Sequence, residues 1–225
     1  MFIENFAYVI FSQLLLKNYK PQKINTMLIN EKLLYKFGAE RVAYKNGENI
    51  FNEGSHPCFY YQIIVGKVKL NHFNDEGKES IQNILLPGNS VGECFLFLEN
   101  VYPMNAEALE DTVLLKLNKS FFLDLLSSNP YLYKELNRCM SEKLYHKYLM
   151  MQNNSINSPI NRLKGLLDYL KNDTVEIKAP FSFKIELTRQ QLAGLTGMCV
   201  ETVIRTVKLM ESQNMLRLQK GKILY

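Results

Sequence analysis

The sequence predicts an α+β chain: an N-terminal antiparallel, jelly-roll-like β-roll, then one long helix, then a C-terminal winged helix-turn-helix. Three observations predict it. Between Arg41 and Leu117, short runs of alternating apolar and polar residues are separated by glycine-containing turns. Such regular short strands are the pattern of a small sandwich or barrel, not of a parallel α/β sheet. Next, Leu136, Met140, Leu144, Tyr148 and Met151 recur at helical spacing with no glycine or proline between them. Finally, Leu187 to Met210 reads as two short helices around Gly197, the tight connection that helix-turn-helix units often use.

Taken in order, residues 1–16 are apolar but broken by Glu4, Asn5, Ser12 and Gln13. The stretch is too short to span a bilayer and lacks the basic start of a signal peptide, so an amphipathic helix is expected, followed by a linker from Lys17 to Lys23. Tyr60 to Val65, Gly66 and Lys67 to Phe73 read as two strands, and Asn74 to Gly77 as a hairpin turn before a returning strand from Ser80 to Leu86. Pro87-Gly88-Asn89 makes another turn, and Asn105 to Leu109 and Val113 to Leu117 supply two more strands. Ser120 to Ser127 reads as a brief helix, and Asn129-Pro130 opens the long one. An apolar stripe on a free-standing helix must be buried, on its own domain or on a partner's copy; its spacing is not a strict heptad, so both readings stand. The polar run from Gln152 to Ser158 is the natural hinge. Ser158 then caps a helix with Pro159 at its first position, and Leu163, Leu166, Leu167 and Leu170 form its core face. Phe181 to Ile185 reads as a strand, and Leu216 to Tyr225 as two strands around Lys220-Gly221, a basic wing.

Charge separates the two ends of the chain. The 225 residues carry a formal net charge of +5, divided as +2 over residues 1–26, −4 over 27–136 and +7 over 137–225. An acidic middle suits a sensing or protein-binding body, and a basic C-terminal third suits a polyanion such as DNA. Cys58, Cys94, Cys139 and Cys199 stand far apart, and His56, His72 and His146 do not join them at metal spacing. No metal site or disulfide framework is therefore expected, and isolated thiols fit a reducing cytoplasm. No phosphate loop, nucleophile elbow or paired-carboxylate cleft is visible, which argues against an enzyme.

The chemistry lies near the C-terminus. Thr188 can cap the first short helix, with Gln191 completing a capping box. A second helix from about Val200 would bury Val203, Val207 and Met210, leaving Glu201 and Arg205 outward. In a major groove, Arg donates bidentately to guanine and Glu accepts from cytosine N4. The plainer alternative is a surface salt bridge between the two, four residues apart.

Strand-rich body, long helix and winged helix-turn-helix, in that order, resemble the Crp/Fnr family of bacterial transcription regulators. The resemblance covers about residues 27 to 225 and is carried most specifically by Leu187-Thr-Arg-Gln-Gln, Glu201-Thr-Val-Ile-Arg205 and Pro87-Gly-Asn-Ser-Val-Gly-Glu93. It implies an extension over 1–26, a cyclic-nucleotide-binding-like β-roll over 27–129, a dimerisation helix and hinge over 130–157 and a DNA-binding domain over 158–225. Met27 is then a candidate translational start. Thr188, Arg189 and Gln190 fill the places that meet the phosphate backbone, while Val200, Glu201, Thr202 and Arg205 fill those at the reading helix. Val200 stands where the cyclic-AMP-responsive members have a further base-reading Arg, so this chain looks closer to the oxygen-sensing branch.

In the sensor, the resemblance implies a ligand pocket at Gly92, Glu93, Cys94, Met104, Asn105, Lys147 and Tyr148. Gly92-Glu93 fits the family's ribose-binding pair. Cyclic-AMP-binding members carry Arg-Ser-Ala or Arg-Thr-Ala where this chain has Met104-Asn105-Ala106. Methionine cannot pair with a cyclic phosphate, and burying an unpaired anion is costly. Weak or no cyclic AMP binding is expected, and no cofactor. Residues 1–57 hold none of the cysteines that the iron–sulfur branch uses. A haem ligand or a redox role for Cys94 or Cys199 stays open, with a small buried residue the plainer reading of each.

The expected function is a homodimeric, cytoplasmic, sequence-specific regulator of transcription. Its partners would be double-stranded DNA, a second copy through the long helix and RNA polymerase, with no membrane. The alternative is a ligand-sensing β-roll protein, with a cyclic nucleotide, haem or redox effector, whose helix-turn-helix serves mainly in protein contact.

Overall fold

The alternating runs of the N-terminal half fold into two facing antiparallel sheets in the computed structural model, which describes residues 28–173 and 179–225. The extension expected at 1–26 and the start at Met27 lie outside the described residues. One sheet has the order β1-β8-β3-β6, built from β1 (Glu40–Tyr44), β8 (Thr112–Asn118), β3 (Phe59–Val65) and β6 (Ser90–Val91). The other has the order β2-β7-β4-β5, from β2 (Asn49–Phe51), β7 (Asn105–Ala108), β4 (Val68–Phe73) and β5 (Glu79–Leu85). Ile63, Val68, Val91, Ala106 and Leu114 point between the sheets and are buried. The β3–β4 turn needs Gly66: its φ is +94°, and a Cβ there would meet the Thr112 hydroxyl at 2.3 Å. The β4–β5 hairpin closes where the sequence places it, with the Gly77 N–H donating to the Asn74 carbonyl at 2.8 Å.

A second core lies outside the first sheet. Helix α1 (Glu31–Lys36), α2 (Lys119–Ser128) and the start of α3 (Tyr131–Asn154) cover it. The Tyr60 and Phe122 rings stack there at 4.4 Å. Helix α3 has 24 residues, about 36 Å at 1.5 Å per residue. Its stripe divides. Leu136 is buried and Met140 half-buried on the roll, whereas Leu144, Tyr148 and Met151 are 52%, 55% and 60% exposed. Intramolecular packing thus accounts for the first half of the stripe and leaves the second half uncovered.

The expected hinge is shorter and tighter than the polar run suggests. Helix α3 continues to Asn154, and α4 (Pro159–Asp173) begins five residues later. Asn153 is buried and its Nδ2 donates to the Arg162 carbonyl at 2.8 Å. A Cβ on Gly165 would come within 1.9 Å of Asn153 Oδ1, so the two helices meet where glycine allows it. Arg162 donates twice to the Ile156 carbonyl, at 3.0 and 2.6 Å. Polar composition here marks a hydrogen-bonded corner, not slack chain.

The C-terminal unit packs α4, α5 (Arg189–Thr196) and α6 (Val200–Ser212) around Leu163, Leu167, Leu192, Val203, Val207 and Met210. A small antiparallel sheet, ordered β10-β11-β9, flanks them. It comprises β9 (Lys184–Ile185), β10 (Arg217–Gln219) and β11 (Lys222–Leu224). The strand expected from Phe181 is reduced to Lys184–Ile185, since Phe181 has φ +57°, outside the extended region.

Candidate nucleic-acid interface

Two local devices fix helix α6. Thr188 Oγ1 accepts from the Gln191 N–H at 3.1 Å, and Gln191 Oε1 accepts from the Thr188 N–H at 2.8 Å. This reciprocal box satisfies donors that a helix start leaves open. At the other end of α5, Gly197 adopts φ +68°, ψ 9° and turns the chain into α6. Helix α6 then buries Val203, Thr206, Val207 and Met210. Glu201, Ile204, Arg205, Lys208 and Leu209 remain exposed on the opposite side. Among the described residues, Glu201 and Arg205 form no ion pair with each other, so the surface salt bridge is not what holds them there.

The other expected contact residues divide. Gln190 and Thr188 are exposed, although the Thr188 hydroxyl also serves the cap. Arg189 leans on the wing, its Nη2 donating to the Gly221 carbonyl at 3.2 Å, and partial burial holds its pKa below the ordinary value. Val200, at the first position of α6, is half-buried against the core of this unit. Thr202 is half-buried, its hydroxyl 2.9 Å from Cys199 Sγ. Cys199 itself is exposed, not buried, and the Thr202 contact lowers its thiol pKa. The wing adds Arg217, Lys220 and Lys222, all exposed. Arg217 stacks over Phe181 at 4.6 Å from the ring centroid.

The sensor residues converge only in part. A cleft of about 770 Å³ runs between the roll, α3, α4 and α5, and Gly92, Glu93, Cys94, Met104 and Lys147 line it. Asn105 does not: its Oδ1 accepts from the Glu53 N–H at 2.9 Å on strand β7. Tyr148 does not either, because it points from α3 toward solvent. Sequence reasoning missed Lys143, which lies on the face of α3 that meets Glu93. Lys143 Nζ donates to Glu93 Oε1 at 2.8 Å and to the Ser90 carbonyl at 2.9 Å. Burial would raise the Glu93 carboxyl, but the Lys143 charge and hydrogen bonds outweigh it and the pKa ends below the ordinary value. Burial would likewise lower Lys143, and Glu93 reverses this. Cys94 is exposed, not buried as a small residue would be, yet desolvation of its thiol pushes it up to about 11, which disfavours the reactive thiolate. Among the described residues, no group of three or more His, Cys, Asp or Glu is placed to hold a metal ion. None of their helices is long and apolar enough to cross a membrane.

Similarity to known proteins follows this division. Residues 41–129 match the family described as cyclic nucleotide-binding domain. Residues 161–225 match the Crp-like helix-turn-helix domain. The cyclic AMP receptor protein of Thermus thermophilus is 28% identical over 185 residues, covering 82% of each chain. The transcriptional activator protein Anr of Pseudomonas protegens is 29% identical over 182 residues, 79% of this chain and 72% of its own. Among solved structures, a CRP/FNR-family transcriptional regulator from Thermus thermophilus superimposes with a TM-score of 0.65 at 25% identity, covering 82% of this chain and 92% of that one. The relatives are regulators, not enzymes. With both halves matched in the order that the fold shows, the chain belongs to the Crp/Fnr family of DNA-binding transcription regulators.

Proposed function

We propose that the chain acts as a homodimer that reads a pseudo-palindromic DNA site with G·C pairs in each half. The observation that carries this reading is the outward pair Glu201 and Arg205, held on α6 by the Thr188–Gln191 box and the Gly197 turn. Arg205 would donate to guanine and Glu201 accept from cytosine. Thr188, Arg189, Gln190 and Thr202 would face the backbone beside them. The uncovered stripe Leu144, Tyr148 and Met151 on α3 supports pairing with a second copy. Two reading helices would then enter major grooves about 34 Å apart. The working division is a roll over 27–129, a dimerisation helix and corner over 130–157 and a DNA-binding domain over 158–225. RNA polymerase is the further partner this role assigns, and the cytoplasm its compartment. Selecting bound sites from random DNA tests the reading: an inverted repeat with G·C positions supports it, and enrichment of no motif contradicts it.

The sensor end of this reading is that cyclic AMP binds weakly or not at all, and that no cofactor is required. Glu93 already takes hydrogen bonds from Lys143, Ser90 and its own backbone, leaving little of it for a ribose. Met104 offers a cyclic phosphate no charge. Calorimetry with cyclic AMP decides the matter: binding at micromolar or tighter affinity would contradict it.

A further inference from the structure

Helix α6 carries, among its outward charges, an aliphatic residue that hydrogen bonding to DNA leaves unused. Ile204 is 40% exposed and, among the described residues, joins none of the three hydrophobic cores. The inner side of the helix is already filled by Val203, Thr206, Val207 and Met210. Isoleucine is also a poorer helix former than alanine, lysine or arginine. Neither packing nor propensity accounts for it at this place. A single exposed apolar residue is commonplace on a protein surface; what sets Ile204 apart is its position.

Glu201, Ile204 and Arg205 are all exposed on the same helix. With 3.6 residues per turn, Ile204 projects about 60° to one side of Glu201 and Arg205 about 40° to the other. Along the axis Ile204 lies about 4.5 Å beyond Glu201, little more than one base-pair step of about 3.4 Å. Helix α6 begins at Val200, so Ile204 belongs to its N-terminal half, the part of a reading helix that meets base edges. Leu209 is exposed as well, at 47%, but it lies more than one turn further along.

The side chain of Ile204 has no donor or acceptor. Pressed against guanine N7 and O6, cytosine N4 or adenine N6 and N7, it would strip water from a polar group and return no hydrogen bond. Thymine alone presents an apolar group in the major groove, its C5-methyl. We propose that Ile204 is a specificity-determining residue that packs on a thymine methyl, within two steps of the G·C pair met by Glu201 and Arg205. This rests on α6 being the reading helix, and it adds a T·A pair to the G·C content of each half-site.

The test is a uracil scan of the site recovered by selection, with the full-length protein. Each symmetric pair of thymines is replaced in turn by uracil, which keeps every hydrogen-bonding group and lacks only the methyl. Burying a methyl is worth about fourfold in affinity, so one such pair should weaken wild type about fifteenfold across the two half-sites. In Ile204→Ala, shorter by three carbons, the same pair should cost less than about twofold. Leu209→Ala should keep the wild-type loss, and both variants should keep the preference for guanine opposite Arg205. The proposal is overturned if no thymine pair costs wild type about threefold or more. It is equally overturned if folded Ile204→Ala keeps the full loss, or if Leu209→Ala abolishes it. A motif with its G·C pairs but no methyl-sensitive thymine removes this proposal alone, whereas recovery of no motif removes the reading of α6 and this proposal with it.

Discussion

Lys143 Nζ lies 2.8 Å from Glu93 Oε1 and joins helix α3 to the turn after β6. Glu93 is almost wholly buried, with only 1% of its side chain exposed. Removing one partner of such a pair strands a charge, whereas replacing both with apolar residues is often neutral.

Glu93→Leu alone should therefore lower stability by about 3–5 kcal/mol, and Glu93→Leu with Lys143→Met should recover most of that loss. The pair also sets a pH response. The Glu93 carboxyl sits below its ordinary 4.5, so its contribution is present above that value and lost as pH falls through the lowered one. Lys143 sits above 10.5, so its contribution is present below that value and lost as pH rises through the raised one. Urea midpoints should show wild type losing ground to the double variant only outside this window. A double variant as unstable as Glu93→Leu at neutral pH would refute the account of the pair.

Helix α5 rests on the sensor hairpin where Gly194 meets Ile81. A Cβ at position 194 would sit 2.7 Å from Ile81 Cγ1. Gly194→Ala adds helix propensity worth about 1 kcal/mol but overpacks the contact by about 1–3 kcal/mol. The substitution should destabilise the wild-type protein and stabilise Ile81→Ala, because the second background opens the space. Thermal unfolding of the four proteins reads the sign, and the same sign in both backgrounds would show that the contact does not form.

The uncovered half of the α3 stripe carries the dimer prediction. Tyr148→Glu with Met151→Glu should give a monomer by sedimentation at concentrations where wild type is a dimer. Binding to a full inverted repeat should fall with it, and binding to a half-site should change little. A variant that stays dimeric would place the interface elsewhere.

Much of the DNA-binding unit was legible because its determinants are local. Thr188 and Gln191 are three residues apart, Gly197 ends one helix, and the apolar residues of α6 repeat along a single face. The roll was legible for the same reason, through Gly66, the Asn74–Gly77 turn and the alternating strands. The pocket was less so. Glu93 meets Lys143 across 50 residues of sequence, and no local pattern announces that contact. Ungapped counting led instead to Lys147 and Tyr148. Lys147 is four residues beyond Lys143 and shares its face of α3, whereas Tyr148 turns about 100° further round to solvent. That Val200 is half-buried was not legible either, because burial there depends on how α6 seats against its neighbours.

Arg205 tests the central claim most directly. With a selected site in hand, wild type and Arg205→Ala should be compared by mobility shift on that site and on random DNA at one salt concentration. Loss of a bidentate guanine contact is worth about 1–3 kcal/mol, so specific affinity should fall about 5- to 150-fold. Random-DNA affinity should change little, and discrimination should relax at one position in each half-site. Equal losses on both DNAs would reduce Arg205 to a phosphate contact, and unchanged specific affinity in a folded variant would contradict the account of α6 as the reading helix.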